Sequence, residues 1–234
     1  MDPHVAALEA PAPISSPAPK SILRGWLEAL LPALVLMLLV RTSIAQLYQI
    51  PSGSMEDTLQ IGDFLVAEKV SEHFRDYRAG DVLVFEYPDD PSKDFIKRVV
   101  ATAGQTVEVR NKTVYVNGVA QAMPLEGKHV DPEVYASDAA PRDNYGPVAV
   151  PRDGYFMMGD NRDNSLDSRF WRSHFLDKRS VKGRAFFIYW SWSADEKAPQ
   201  GSMFNPVVLG QSLLYNIVHF VDRARFGRMG SLVR

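Results

Sequence analysis

The chain of 234 residues contains no cysteine. Disulfide frameworks and thiolate metal sites are therefore excluded, and the redox compartment is left open. A large charge of either sign is also missing: Lys and Arg number 26 against 28 Asp and Glu, a formal net charge of −2. A dedicated nucleic-acid binder carries a basic excess, so no nucleic-acid partner is expected. Histidine is sparse, with five scattered as His4, His73, His129, His174 and His219. None falls in an HExxH or similar ligand spacing, and isolated histidines of this kind read as surface or core residues. No metal and no other cofactor is expected.

What is present is enough apolar material for a core, 46% of the chain. It is unevenly placed. Residues 1–20 are rich in Pro, Ala and Ser, with Pro11, Pro13, Pro17 and Pro19, the composition of a disordered tail. The run Ile22 to Val40 follows and is apolar all round from Leu30 onward. At about 1.5 Å per residue it spans roughly 28 Å, close to the hydrocarbon thickness of a bilayer. Arg24 and Glu28 stand one helical turn apart, Arg41 can snorkel at the far end, and Pro32 is tolerated as a kink within a membrane helix. A cleavable signal peptide is the competing reading, with Lys20 and Arg24 as its basic region and Ser43-Ile44-Ala45 as a small-x-small site. Arg41, between the apolar run and that site, favours a retained anchor.

Immediately after comes Ile50-Pro51-Ser52-Gly53-Ser54-Met55-Glu56-Asp57-Thr58-Leu59. Pro, Ser and Gly are also what an ordinary surface turn is made of. Glycine permits a tight path that presents the Ser54 hydroxyl, which needs a neighbouring base to act as a nucleophile. Residues 61–67 and 80–85 read as strands, both opening on Gly-Asp. Asp94 to Val100 is a β-favouring run with Lys97 inside it. Lys97 is either an outward residue on a half-buried strand or a desolvated amine whose lowered pKa makes it a base. Arg98, its neighbour, is expected to face outward. Thr106–Val109 and Val114–Val116 read as a hairpin leading to the turn dipeptide Asn117-Gly118, and 122–147 as a loop-like insertion. The stretch Gly159-Asp160-Asn161-Arg162-Asp163-Asn164-Ser165-Leu166-Asp167-Ser168-Arg169 is a dense polar loop without lysine, suited to an ordered hydrogen-bond network. Val181 to Trp192 reads as a last long strand. Leu213 to Val221 is helical in pattern, with Arg223, Arg225 and Arg228 behind it; either a surface helix or a membrane-surface contact fits.

Together these pieces resemble bacterial type I signal peptidase, the membrane-bound leader peptidase, over roughly residues 22–193. Pro51-Ser52-Gly53-Ser54-Met55 looks like its nucleophile box, Gly80-Asp81 through Phe95-Ile96-Lys97-Arg98 its lysine box, and Gly159 through Arg169 its third box. Asp57 departs from the proline often found there. The resemblance implies a mostly β fold of antiparallel sheets behind one N-terminal transmembrane helix. It divides the chain into a cytoplasmic tail (1–20), an anchor (21–45), a catalytic domain (46–193, with an insertion at about 105–150) and a C-terminal extension (194–234). It implies a Ser–Lys dyad of Ser54 as nucleophile and Lys97 as general base, with an oxyanion hole from the Ser54 N–H and the Ser52 hydroxyl. Ser165 would orient Lys97, and Asp167 and Arg169 would form a supporting ion pair beside Gly159. Ile50, Pro51, Met55, Leu59, Phe95 and Ile96 would wall a pocket for substrate residue −1, and Ile50, Val84 and Ile96 one for −3. The partners implied are preprotein signal peptides with small residues at −1 and −3, and membrane lipid. The place implied is the cytoplasmic membrane, crossed once, with the catalytic domain outside. A self-cleaving Ser–Lys repressor of the LexA type would need a DNA-binding domain where residues 1–50 carry an apolar run. A tethered, non-catalytic peptide-binding module would not need both Ser54 and Lys97.

Overall fold

The computed structural model describes residues 22–193, 195 and 205–234; the expected tail at 1–20 lies outside them. The chain divides near Leu39 into two units. The first carries most of α1 (Ile22–Ser43), a 22-residue helix with Pro32 inside it. Side chains from Trp26 to Leu38 on this helix are largely exposed. Among the described residues no helix is long and apolar enough to cross a membrane.

The second unit is built from two antiparallel sheets, as a mostly β chain requires. The strands are β1 (Ala45–Gln49), β2 (Asp63–Glu68), β3 (Val82–Tyr87), β4 (Asp90–Thr102), β5 (Thr106–Arg110), β6 (Thr113–Val116), β7 (Val119–Ala120), β8 (Tyr145–Ala149), β9 (Gly154–Met158), β10 (Leu176–Asp177) and β11 (Val181–Ser191). The larger sheet runs β1-β2-β11-β3-β4-β9-β10 and the smaller β7-β6-β5-β8. The smaller sheet is drawn from residues 106–149, and its strand β8 takes up part of the stretch 122–147 that the sequence suggested was loop-like. Its β5–β6 turn places both Asn111 and Lys112 at positive φ, as its β6–β7 turn does Asn117 and Gly118. Paired left-handed residues match the twist of a two-residue hairpin. Only the second turn carries the Asn-Gly signal.

The large sheet is covered on both faces at its centre. Val82, Val84 and Ile96 enter one core cluster with Ile50, Met55, Leu59 and Leu65. Leu83, Phe85 and Val99 enter another with Tyr155, Met157 and Trp171. This two-sided burial explains the unbroken run Val82-Leu83-Val84-Phe85, since a half-solvated strand would alternate. It also corrects the expectation for Arg98. Arg98 does point away from Lys97, but into the opposite buried layer, where its guanidinium grips Asp160 at 2.8 and 2.6 Å.

At the C-terminus, α2 (Pro206–Val218) starts at an Asn205 cap and ends before the sequence pattern placed it, and α3 (Phe220–Arg223) follows. Beyond them the chain returns to the large sheet. Gly230 N donates to Ile188 O at 2.8 Å and Val233 N to Phe186 O at 2.9 Å, and Val233 packs on the cluster of Ile50 and Met55. Arg228 donates to Asp63 Oδ2 at 2.6 Å and to Thr58 O at 3.0 Å, while Arg225 reaches Gln60 Oε1 and Ile61 O, each at 2.7 Å. The tail thus closes over the loop joining the serine stretch to β2.

Burial alone would raise the pKa of Asp63, but hydrogen bonds from Arg228, Ser191 and Gln60 outweigh it and hold the carboxyl below its ordinary value. A depressed carboxyl contributes stability above its unfolded pKa and loses it as pH falls through the folded one. Asp63→Asn should therefore cost about 3–5 kcal/mol near neutral pH, because two arginines lose their buried counter-charge. In urea titrations the difference from wild type should shrink under acid; a difference independent of pH would contradict the ion-pair account.

Candidate active site

The serine stretch leaves β1, passes Ser52 in extended conformation (φ −133, ψ 154) and enters a single 3-10 turn over Gly53–Met55. Met55 and Leu59 are fully buried and pin this turn to the core, leaving Ser54 at its rim. Lys97 approaches from the middle of β4, where Leu83 is its partner on β3. Its side chain is only 3% exposed, and Nζ lies 2.7 Å from Ser54 Oγ and 2.9 Å from Ile96 O.

Burial lowers the Lys97 pKa to about 8, against an opposing pull from the charges of Asp167 and Asp160. Removing an ammonium from water disfavours its charged form. The amine is thereby neutral in a useful fraction just above neutral pH, which an ordinary lysine is not.

The polar loop after β9 surrounds this pair. Asp167 is fully buried. Burial would raise its pKa, but the charge and hydrogen bonds of Arg169, with the Gly159 N–H, lower it. Arg169 meets it in a fork, Nε to Oδ1 at 2.9 Å and Nη2 to Oδ2 at 2.8 Å. Arg169 also ties the loop to itself through Arg162 O at 2.7 Å. The Ser165 hydroxyl helps to keep Asp167 ionised, yet it is buried without a partner at hydrogen-bonding geometry. The expected bond from Ser165 to Lys97 is not formed; the amine is occupied by Ser54 and the Ile96 carbonyl.

Besides donating its N–H to Asp167 Oδ2 at 3.1 Å, Gly159 has a spatial role. A Cβ there would stand 2.4 Å from Ser54 O and 2.3 Å from Ser165 Oγ. Only glycine allows the loop and the serine turn to approach this closely.

A cleft of about 400 Å³ opens beside the pair, lined by Pro51, Ser52, Gly53, Ser54, Asp94, Phe95, Ile96, Lys97, Asn164 and Leu166. Of the residues expected to wall a pocket, Pro51, Phe95 and Ile96 do line it. Ile50, Met55, Leu59 and Val84 do not; they belong to the fully packed cluster that also contains Ile96, because the apolar strand and turn positions satisfy the core first. Asp94, Asn164 and Leu166 line the cleft and were not anticipated.

Sequence reasoning also missed the supports of the serine turn. Asn161 donates from its backbone to Ser54 O at 3.2 Å and from its amide to Gly53 O at 3.3 Å. Thr58 donates to Asp160 Oδ2 at 2.6 Å. Lys128 reaches Glu56 at 3.1 Å and Asp57 at 2.9 Å. Asp57 itself has φ 77, a conformation closed to proline and tolerated by aspartate, which accounts for the departure noted in the nucleophile box. One signal was available: Gly-Asp occurs at 62–63, 80–81 and 159–160, and all three aspartates meet arginines, Asp63 with Arg228, Asp81 with Arg75 and Asp160 with Arg98.

A serine hydroxyl 2.7 Å from a buried lysine amine, inside an antiparallel β domain, is a pairing able to support nucleophilic chemistry. Comparison places it more narrowly. Residues 23–190 match the family described as Signal peptidase, peptidase S26, and the chain belongs to that family. It is 41% identical over 181 residues to "Probable signal peptidase I-1" of Synechocystis sp., covering 74% of this chain and 85% of that protein. It is 33% identical to "Signal peptidase I" of Pseudomonas aeruginosa, over 70% and 72% of the two chains. With "Signal peptidase I" of Aquifex aeolicus the identity is 31%, over 84% and 95%.

The buried amine sets up a test that needs no substrate. A lysine with a depressed folded pKa destabilises the fold while it must be charged, and that cost is released as pH rises from about 8 toward the ordinary 10.5. Lys97→Met should melt higher than wild type at neutral pH, with the gain shrinking above pH 8. A loss of stability at neutral pH would mean that the charged amine is well solvated.

Proposed function

We propose that this chain is a membrane-anchored endopeptidase that removes N-terminal signal peptides from exported preproteins, with Ser54 as nucleophile and Lys97 as general base. The observation that carries the reading is the 2.7 Å separation of Lys97 Nζ and Ser54 Oγ, at the edge of an open cleft.

Neutral Nζ takes the Ser54 proton as Oγ attacks the scissile carbonyl. The oxyanion that develops is met by the Ser54 N–H and the Ser52 hydroxyl, donors aimed at charge formed only in the transition state. The ammonium then gives its proton to the leaving amine, and an acyl ester remains on Ser54. Water, deprotonated by Lys97 in turn, hydrolyses the ester. Asp167 and Arg169 serve as scaffold, and Ser165 keeps the surroundings of the amine polar on one side.

A substrate lying extended along the cleft points residues −1 and −3 to one side and −2 to the other. Pro51, Phe95, Ile96 and Leu166 offer an apolar, shallow surface, backed by the packed side chains of Ile50, Met55, Leu59 and Val84, which have no room to recede. Small residues are favoured at −1 and −3, because a bulky side chain would meet this surface with nowhere to go. The run Ile22 to Val40, read from the sequence and not from the apolarity of α1, anchors the chain in the cytoplasmic membrane as a single span, with the catalytic domain on the outer face. Its length in the sequence and the family support this. Protection of residues after 45 from protease in right-side-out vesicles would overturn it.

Cleavage of a preprotein in detergent, with the new N-terminus sequenced, tests the function. Ser54→Ala and Lys97→Ala should each abolish it, and the double variant should be little worse, since the groups act as a unit. Activity should climb with pH through a limb near 8, because a protonated amine cannot accept the serine proton. Gly159→Ala should lower activity by ~10²-fold or more through displacement of Ser54. Equal cleavage of substrates with Ala, Phe and Lys at −1 would rule out the cleft as the specificity pocket.

A further inference from the structure

On the side of β4 away from Lys97, two cavities meet at one side chain. The first, of about 280 Å³, is bounded by Gly80, Val100 and Pro124 among others, and the second, of about 240 Å³, by Lys112, Met123 and His129; Arg162, Val114 and Gln121 border both. Arg162 is 5% exposed, and its Nε is buried with no hydrogen-bond partner. Its main chain is fixed, with Arg162 N donating to Lys128 O at 3.0 Å and Arg162 O accepting from Arg169.

The acids nearby are already matched. Asp160 is held in a fork by Arg98, Asp167 by Arg169, and Asp163 by Lys112 and His129, each at 2.9 Å. Among the described residues no carboxylate forms a salt bridge with Arg162. Arginine stays charged in proteins, and a buried charge without a partner is costly. Burial lowers the Arg162 pKa to about 10, with Asp160 and Asp167 only partly opposing this. An unmatched guanidinium beside open volume, on a main chain held at both its N–H and its carbonyl, has the makings of an anion site, since its planar fork suits two oxygens of a carboxylate or phosphate.

We propose that Arg162 holds a small oxyanion, a carboxylate or phosphate group, in the space it shares with Val114 and Gln121. The flanking residues of the same loop carry the consequence: Asn161 supports the serine turn and Asp160 holds Thr58, so an anion at Arg162 steadies both. Binding at this site can be measured without turnover at Ser54.

Calorimetric titration of the full chain in detergent, at fixed pH and ionic strength, tests this with inorganic phosphate in one arm and acetate in the other. Saturable binding of one or both to wild type is expected, the stronger arm telling phosphate from carboxylate. Arg162→Gln should abolish it. Should that variant fail to fold, Arg162→Lys keeps the charge but loses the fork and should weaken binding about tenfold or more. No saturable binding of either anion to wild type, or unchanged binding in the substituted protein, would overturn the proposal and leave water as the filling of both cavities.

Discussion

An amine held out of water beside a hydroxyl is the arrangement on which this molecule depends. A surface lysine would be fully charged at neutral pH and useless as a base. Lys97 escapes this because β4 lies at the centre of a sheet covered on both faces. The structure bears the desolvation as a stability penalty at neutral pH, a cost commonly found where a site must be reactive. The other buried charges around the site are dealt with by pairing. Asp167 and Asp160 are as deeply buried as Lys97, but each is paired bidentately to an arginine, so neither carboxylate is left unmatched.

The serine turn is held from several directions. Its apolar residues, Met55 and Leu59, sink into the core. Its carbonyls are taken by Asn161. The segment behind it is closed by Arg225 and Arg228 from the far end of the chain. Glycine at 159 completes the fit by contributing no atoms where the turn and the polar loop touch. A serine positioned by packing, main-chain hydrogen bonds and ion pairs together is preorganised, which would spare a reaction at its hydroxyl the cost of ordering it.

Much of this was legible in the residues. The strands and the Asn117-Gly118 turn rest on local signals, hydrophobic periodicity and turn chemistry, whereas the pairing of the serine turn with the lysine run and the polar loop came from the resemblance of three boxes in order. Those signals fail where both sides of a position are buried. Arg98 follows the alternation of a strand faithfully, yet faces a second core layer that no local pattern announces. Ile50, Met55, Leu59 and Val84 are apolar for either a pocket or a core, and composition does not separate the two.

By itself, then, the sequence determined which side chains are available, a serine turn, a lysine inside an apolar strand and a polar loop, because these are matters of residue type and local order. It also determined the β character of the domain, because period-two patterns and turn residues act over a few positions. Only the tertiary structure decided which ions pair, since Asp63 with Arg228 and Asp160 with Arg98 are joined across long stretches of chain. It alone decided that Lys97 is a desolvated amine at the edge of a cleft and not a solvated strand residue. Desolvation is a property of what packs around a group, and the atoms around Lys97 come from β3, the serine turn and the polar loop, brought together only when the sheet closes.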